Sequence, residues 1–410
     1  MTEQVKQKEE LKLYHNLIEL PKDKKASDVV GERHEMVLLI EVAKSNPNGD
    51  PDTGNMPRMQ PDTMKGLITD VCLKRKVRNF LSLYNPDGTL LGNGSQDGYK
   101  IFIKENAVLQ QLMESDDIAG QAEKIFNDYS EPNKGKWKRA SKAKSGESEY
   151  IVRAYRDALC RTFIDIRAFG GVTSTDGPLK GSFFGQIRGP IQFGFSESLD
   201  RILPLDFSIT RCASTSEQEK KQQQTGGQSV GDEEGGNRTM GRKHIVDYAI
   251  YRCHIYLSPA FAAKTRFTYY DLDNFLFALK HMFTDDKAAP RTGMRVVGLI
   301  DFQHSTALGN EHAHKLFDMV KVDRADIDDK GKPTKEFPQS IKDYCGELEG
   351  WAFKSSDKNG CKIPIAVVRQ KDEGGDDKAL VAARKVVWDI PEKTKKGADS
   401  HPNTEEKVLT

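Results

Sequence analysis

The sequence predicts an α+β fold in which strands alternate with two main helices and form one sheet covered on one face. Residues 35–43, EMVLLIEVA, form a nearly continuous apolar run with β-branched side chains, which is typical of a buried strand. Apolar residues at helical spacing end near Tyr84 and recur between about Tyr270 and Phe283. Further strand-like runs lie between and after these helices. This order is compatible with a ferredoxin-like βαββαβ core.

The segment after the first strand combines a loop with a helix. Residues 45–54 are so rich in Asn, Asp, Pro and Gly that they predict a loop. A helix is expected to begin at Asp62 or Thr63, either of which can cap it, and to end near Tyr84. Its first half does not continue the apolar stripe of its second half, so we expect that part to be bent or buried differently.

The remaining elements and the domain boundaries follow from composition and periodicity. The sequence predicts helices near 105–129 and from about Tyr150, and strands at 162–167, 190–196, 206–213, 249–257 and 295–302. We expect a mobile, charged N-terminal extension (1–33), a core (34–322) with inserts at about 85–149 and 214–243, and a charged C-terminal extension (323–410).

The composition excludes several classes of protein. The chain has 410 residues, with 62 Lys and Arg against 61 Asp and Glu, so its total charge does not itself indicate nucleic acid, and the position of the cations matters more. Six scattered cysteines without a C-x-x-C pair are typical of reduced thiols and argue against a zinc site. No membrane span or secretory signal is recognisable, so we expect a cytoplasmic protein.

The motifs of common catalytic and cofactor sites are missing from the sequence. No phosphate-binding G-x-x-x-x-G-K-[ST] loop, dinucleotide fingerprint, H-E-x-x-H or G-x-S-x-G occurs, so the sequence predicts neither a cofactor nor catalysis. Asp50 and Asp52 are close enough to hold Mg²⁺, but turn chemistry is the favoured explanation for both. His304, His312 and His314 have no clear third and fourth ligand and are interpreted as ordinary polar residues.

Two pairs of segments resemble signatures of the seventh Cas protein family, in the form found in subtype I-C CRISPR systems. The first pair is 46–58 (NPNGDPDTGNMPR) with 69–78, and the second is 208–211 (SITR) with 237–246 (NRTMGRKHIV). Supporting stretches are 167–170, 186–190 and 305–310. The resemblance covers roughly residues 34–322, and the insert between Tyr84 and Tyr150 and both extensions depart from the family's compact form.

The resemblance implies a non-catalytic subunit with an RRM-like palm and a protruding thumb hairpin, here the insert at 214–243. Several copies would line up head to tail on one CRISPR RNA, together with other Cascade subunits, in antiviral defence. They would hold the RNA backbone and leave guide bases exposed for pairing with target DNA. No membrane partner is implied.

A subunit that holds every guide equally must contact phosphate and shape rather than base edges. On the predicted first helix, Lys74, Arg75 and Arg78 are spaced to share one face, for which the alternative is a solvated helix face. Near the thumb, Met240 is a candidate wedge against an unstacked base, and the alternative is internal packing in a hairpin. Its cationic neighbours are further candidates for RNA contact: Arg238, Arg242, Lys243 and His244.

Four other arginines lie beside Gly- or Pro-containing loops or at strand edges, where a guanidinium can reach phosphate or pair with a carboxylate: Arg58, Arg167, Arg188 and Arg211. Two other functions remain open at this stage. One is an RNA-guided, metal-dependent ribonuclease that uses Asp50, Asp52 or Asp176, as related backbone proteins of another CRISPR type do. The other is a general RRM-like module, which the missing aromatic strand motif disfavours.

Overall fold

A computed structural model describes residues 12–91, 97–105, 107–113, 115–131, 135–139, 149–172, 186–210, 240–348, 354–355, 364–371 and 377–392. Its strands are β1 (His34–Ser45), β2 (Gly49–Asp50), β3 (Met56–Pro57), β4 (Lys65–Ile68), β5 (Gly170–Val172), β6 (Gln186–Arg188), β7 (Ile191–Phe193), β8 (Ser196–Arg201), β9 (Pro204–Thr210), β10 (Met240–Leu257), β11 (Gly293–His304), β12 (Val320–Arg324), β13 (Tyr344–Leu348), β14 (Lys354–Ser355), β15 (Pro364–Lys371) and β16 (Asp377–Trp388). Its helices are α1 (Asp70–Leu81), α2 (Leu109–Met113), α3 (Asp116–Asp128), α4 (Glu149–Thr162), α5 (Ile164–Phe169), α6 (Pro259–Thr265), α7 (Tyr269–His281) and α8 (Ala313–Asp318).

Strand β1 lies in the middle of a large antiparallel sheet, between β10 and β11. The order across the sheet is β14-β15-β16-β11-β1-β10-β8-β4, and β7 and β9 also pair with β10. The apolar run of β1 is buried on both faces because Met36 and Leu38 point to one core and Val37 and Leu39 to another. The predicted strand at 35–43 is therefore confirmed, as are the strands at 249–257 and 295–302.

Helices α1 and α7 cover one face of the sheet. Leu73 and Val77 of α1 and Leu276 of α7 belong to the same buried core as Met36 of β1. Helix α7 begins with a capping box, in which Thr268 and Asp271 each accept a hydrogen bond from the other's backbone N–H. The predicted helix at 270–283 is thus confirmed within two residues.

The other face of the sheet is also covered, so the prediction of a sheet covered on one face is wrong. Phe317 of α8, Val320 of β12 and Tyr344 of β13 pack with Val37 and Leu39 of β1. These covering residues come from the weakly periodic part of the chain after β11, where the sequence offered no strong helix or strand pattern. In an RRM-type sheet this second face would be the stacking surface for bases, and here it is core.

The first helix begins later than predicted, because residues 65–68 form strand β4 rather than helix. Thr69 accepts a hydrogen bond from Cys72 N and caps α1. Strand β4 pairs with β8, and at Gly66 a Cβ would come within 2.1 Å of the Tyr251 hydroxyl oxygen. This pairing explains why the apolar residues before Thr69 did not fit the helical stripe.

The predicted strand at 162–167 is wrong, because residues 164–169 form helix α5. The β-branched composition of the segment favours a strand, but tertiary contacts overrule it. The Asp165 carboxylate accepts hydrogen bonds from Phe102 N (2.8 Å) and Ile103 N (3.1 Å), long-range contacts that the local sequence pattern does not contain.

The insert after α1 forms its own small helical core. Where the sequence predicts one helix at 105–129, the structure has two, α2 and α3, because Ser115 caps α3 through Ile118 N. Helix α4 packs against α3. The buried residues that unite these helices include Phe102, Ile125, Phe126, Ile151, Tyr155 and Leu159.

Parts of both predicted extensions join the main core. Leu17 and Ile18 are buried, and the backbone N–H groups of His15 and Leu17 donate to the Asp273 carboxylate. At the other end of the chain, β16 pairs with β11 and extends the sheet. Among the described residues, no helix has the length and apolar character needed to cross a membrane.

Candidate nucleic-acid interface

The loop between β1 and α1 is fixed by its own polar side chains. Asn48 Oδ1 accepts hydrogen bonds from both the N–H and the hydroxyl of Thr69 at 3.0 Å, which joins the loop to the start of α1. Asp50 accepts from Asp52 N at 3.2 Å and caps the short 3₁₀ turn Pro51–Thr53. Turn chemistry therefore accounts for Asp50. In the part of the chain that the structure describes, no three His, Cys, Asp or Glu side chains converge as a metal site would require, and Asp176 lies outside that part.

The three predicted cations of α1 have different environments. Lys74 pairs with Asp70 at 3.0 Å, and Arg75 pairs with Glu105 at 2.6 Å with its side chain about a third exposed. Arg78 is 8% exposed, donates to Asp165 at 2.9 Å and stacks over the Phe169 ring. The expectation that Arg78 shares an exposed face with Lys74 and Arg75 is wrong, because its guanidinium neutralises a fully buried carboxylate.

Arg167 is also an internal residue. It donates to Asp271 through two nitrogens and to the backbone carbonyls of Cys160 and Gly98. Burial opposes its charge, but the Asp271 carboxylate outweighs burial and raises the pKa of the Arg167 guanidinium. The candidate RNA contact at Arg167 is therefore replaced by the carboxylate pairing that was its alternative.

The segments 167–170 and 186–190 are in close backbone contact at Gly170 and Gly189. Strands β5 and β6 pair Gly170 with Arg188, and a Cβ at Gly170 would come within 2.1 Å of Ile187 O. A Cβ at Gly189 would come within 2.3 Å of Gly170 N. These glycines are required by close backbone approach, while the Arg188 side chain is exposed and stays available for a phosphate.

Strands β9 and β10 form a two-stranded ribbon that continues beyond the base of the sheet. Its pairing runs from Pro204 opposite Val246 to Thr210 opposite Met240. Met240 thus lies within a strand, and Arg211 and Arg238 lie outside the described residues. The predicted strand at 206–213 is confirmed through Thr210.

The two faces of this ribbon differ in chemistry. On one face, Asp206 lies 3.3 Å from Arg242 and 3.5 Å from His244 Nδ1, and the Arg242 side chain is 73% exposed. On the other face, Lys243 lies opposite Phe207, which is 49% exposed. The ribbon therefore carries its most exposed cation, Arg242, on one face, and on the other face a partly exposed lysine, Lys243, beside an exposed aromatic ring, a combination suited to a nucleic-acid backbone and base.

Sequence reasoning missed a group of charges around Cys72. Burial raises the pKa of the Cys72 thiol, and the charges that act on it are Lys76, Asp286, Arg291 and Arg58. Lys76 was not a candidate because it falls on the same side of the predicted helix as the apolar Leu73 and Phe80, and Arg291, which follows a proline, belongs to no distinctive pattern. Asp286 also lines a cleft of about 540 Å³ beside α1, together with Arg75 and Lys104.

The structure thus brings some of the predicted residues together and separates others. Arg58 is one of the charged residues around Cys72 near the start of α1. Arg75 lines the cleft beside α1. Arg78 and Arg167 are inside the fold, and Arg242, Lys243 and His244 lie on the ribbon.

A family profile and a curated relative both match this chain, and both carry the same family description. The profile of the family "CRISPR-associated protein Cas7" matches residues 32–349. A relative from Haloferax volcanii described as "CRISPR-associated protein Cas7" is 27% identical over 189 residues, which are 42% of this chain and 44% of that protein. The chain therefore spans less than half the length of this curated relative.

Two solved structures are similar at low identity. One, from a "CRISPR RNA-guided surveillance complex, pre-nicking", is 11% identical with a TM-score of 0.34 and covers 66% of this chain and 78% of that chain. Another, from a "CRISPR RNA-guided surveillance complex", is 9% identical with a TM-score of 0.31 and covers 66% and 68%. Since the family profile spans most of its length, the chain belongs to the Cas7 family of CRISPR-associated proteins.

Proposed function

We propose that this chain is a non-catalytic subunit that binds CRISPR RNA and forms the backbone of a type I-C Cascade-like interference complex. Copies of it line up head to tail along the guide and present the guide bases to target DNA. The observation that carries the proposal is the family match over residues 32–349. The subtype rests on the sequence signatures at 46–58 and 237–246.

An RRM-like palm is part of the same proposal. The four strands β11-β1-β10-β8 are neighbours in that order, α1 lies between β1 and β8 in sequence, and α7 lies between β10 and β11. This is the strand order expected of a βαββαβ unit with right-handed crossovers. The ribbon of β9 and β10 is then the base of the thumb.

The RNA in this proposal runs along the end of the sheet, not across its face. The second face is occupied by α8, β12 and β13, so the stacking surface of an ordinary RRM is closed. Cations with partly exposed side chains are instead found at the loop before α1 and on α1, and an exposed one, Arg242, lies on the ribbon. The proposed RNA contacts that remain are Arg58, Lys74, Arg75, Arg188, Arg211, Arg238, Met240, Arg242, Lys243 and His244.

The decisive experiment is co-expression of the chain with a CRISPR array, followed by purification and sequencing of the retained RNA. Spacer-containing RNA of defined length on particles with several copies is the expected result. A monomer that retains no RNA, or only a mixture of cellular RNA, would contradict the proposal.

Cleavage is tested on the same particles. Complementary RNA is incubated with Mg²⁺, and we expect it to remain intact. Periodic cuts that disappear in an Asp50→Ala variant would instead favour the ribonuclease alternative. Asp52→Ala is tested in the same way, because Asp52 is also a candidate of that alternative. Asp50 pairs with Arg58 at 3.5 Å and caps a turn, so the melting temperature of Asp50→Ala is measured to separate lost folding from lost cleavage.

A further inference from the structure

We infer that Arg58 and Arg291 together bind one phosphate of the RNA backbone, at the junction of the loop 46–58 with the loop 284–292. This inference rests on the proposed function and adds Arg291, which neither the sequence signatures nor the family match assigns, to the candidate Arg58 as a second ligand of the same group. Arg291 lies outside both signature segments. The ligand is a single phosphodiester group, recognised without regard to the base that it carries.

The two loops are held together by Asn46. Its backbone N–H donates to Pro290 O at 2.6 Å, and its side-chain Nδ2 donates to Asn55 O at 2.8 Å. Asn46 is only 5% exposed, so this connection is part of the interior. Because Pro290 precedes Arg291 and Asn55 lies three residues before Arg58, Asn46 places the two arginines on neighbouring segments.

Both guanidinium groups retain unused hydrogen-bond donors. Arg58 lies 3.5 Å from Asp50 and Arg291 lies 3.6 Å from Asp286, and within the described ranges neither pair forms a hydrogen bond. The Nε atoms of both arginines are buried and form no hydrogen bond among the described residues, and Arg291 Nε is the atom that lies 3.6 Å from Asp286, so the donors left for a ligand are the Nη nitrogens at the exposed ends. By contrast, the guanidinium nitrogens of the buried Arg167 donate hydrogen bonds to a carboxylate and to two backbone carbonyls. Unused donors of this kind favour an added acceptor, and phosphate matches the guanidinium fork.

The carboxylate beside Arg291 is already neutralised. Lys76 lies 2.5 Å from Asp286, and both side chains are about nine-tenths buried. Arg291 is therefore the outer member of the group, with 37% of its side chain exposed, and Arg58 is 32% exposed. The charges that act on Cys72 are three cations (Arg58, Lys76 and Arg291) and the Asp286 carboxylate, and Asp50 pairs with Arg58, so this group of five carries one net positive charge, enough for one phosphodiester.

The test compares Arg58→Gln, Arg291→Gln and the double variant with the wild-type chain. Arg266→Gln is the control, because Arg266 is an exposed arginine on a different loop, between α6 and α7. Affinity is measured over a series of salt concentrations for two unrelated spacer RNAs, and melting temperatures confirm that each variant is folded.

We expect each single variant to bind both RNAs about 3- to 10-fold more weakly, a loss typical of one charge-assisted contact. In the double variant the salt slope should fall by about 0.7, the value for one phosphate on a single strand, and not by about 1.4. Its loss of affinity should be smaller than the product of the single losses, because both arginines hold the same group. Arg266→Gln should bind as the wild type does.

Three outcomes would overturn the inference. Multiplicative losses with a slope change near 1.4 would mean two separate phosphates. Unchanged binding in the double variant, with the wild-type chain still binding RNA, would remove this site and leave the proposed function intact. Unchanged RNA affinity together with a loss of affinity for single-stranded DNA of the same sequences, measured in parallel, would assign the site to the target strand. If the wild-type chain binds no CRISPR RNA, the proposed function fails as well.

Discussion

Arg167 and Asp271 hold each other in a two-point contact that joins α5 to α7. Arg167 Nε lies 2.9 Å from Asp271 Oδ2, and Nη2 lies 2.8 Å from Oδ1. The Tyr99 hydroxyl donates to the same carboxylate at 2.5 Å. Burial raises the pKa of Asp271, but Arg167 and the other donors outweigh it and lower the pKa below its ordinary value. A carboxylate that caps α7 is thus also the anchor of a different helix.

Replacing Arg167 should therefore destabilise the fold rather than weaken RNA binding directly. We expect Arg167→Ala to lower the free energy of unfolding by about 3–5 kcal/mol, because Asp271 would be left buried without its main cation. Urea denaturation measures this change. Arg161→Ala, an exposed arginine on α4, should stay within about 0.5 kcal/mol of the wild type. Unchanged stability with lost RNA affinity would restore Arg167 as an RNA contact.

Arg75 and Arg78 provide a matched pair on one helix. Arg78→Ala removes the cation beside the fully buried Asp165 and should cost about 3 kcal/mol or more in unfolding free energy. Arg75→Ala breaks a pair with Glu105, whose side chain is 79% exposed, and should cost less than about 1 kcal/mol. RNA affinity measured on the folded variants should fall for Arg75→Ala. Equal stability of the two variants would contradict this assignment.

The backbone crossing at Gly170 should not tolerate a side chain. Gly170 has a φ of 73°, and a Cβ there would collide with Ile187 O. We expect Gly170→Ala to lower the free energy of unfolding by about 2 kcal/mol or more. Gly120→Ala is the opposite case, because Gly120 lies inside α3 with open space around it. This substitution should raise the free energy of unfolding by about 0.5–1 kcal/mol. Thermal denaturation of both variants checks the sign of each change.

His254 should make stability depend on pH. Burial, assisted by Arg252, lowers the pKa of His254 to about 4, and its ring stacks on Phe317 with centroids 4.1 Å apart. The unfolded chain takes up a proton at this residue below its ordinary pKa of 6.5, whereas the folded chain does so only near 4. Stability is therefore lost as the pH falls from about 6.5 towards 4.

The measurement is the unfolding free energy at pH 7.5 and at pH 5. We expect His254→Gln to reduce the wild-type difference between these two conditions by about 1 kcal/mol, which is less than the roughly 2 kcal/mol that the full pKa shift would give, because water partly screens the incompletely buried ring. The surface variant His314→Gln is the control and should retain the wild-type difference. An unchanged difference in His254→Gln would show that other groups cause the acid sensitivity.

Local patterns were sufficient where one element buries its own apolar residues. The run at 35–43 predicts β1, and the spacing at 270–283 predicts α7. In both elements the order of apolar and polar residues along the segment itself shows which side chains are buried. Residues 65–68 and 164–169 were mispredicted, because partners elsewhere in the chain decide their conformation. Strand β4 pairs with β8, and Asp165 of helix α5 accepts hydrogen bonds from the backbone of Phe102 and Ile103.

By itself, the sequence determined the order of the central strands and helices and the signatures by which the family was recognised. Only the tertiary structure decided which cations are exposed. Arg78 and Asp165 are 87 residues apart in sequence, and Arg167 and Asp271 are 104 apart. Whether a guanidinium faces a phosphate or neutralises a buried carboxylate depends on such distant partners, because burial of a charge is tolerated only where an opposite charge meets it. The spacing of residues within one segment does not show which distant carboxylate will pair with a given arginine.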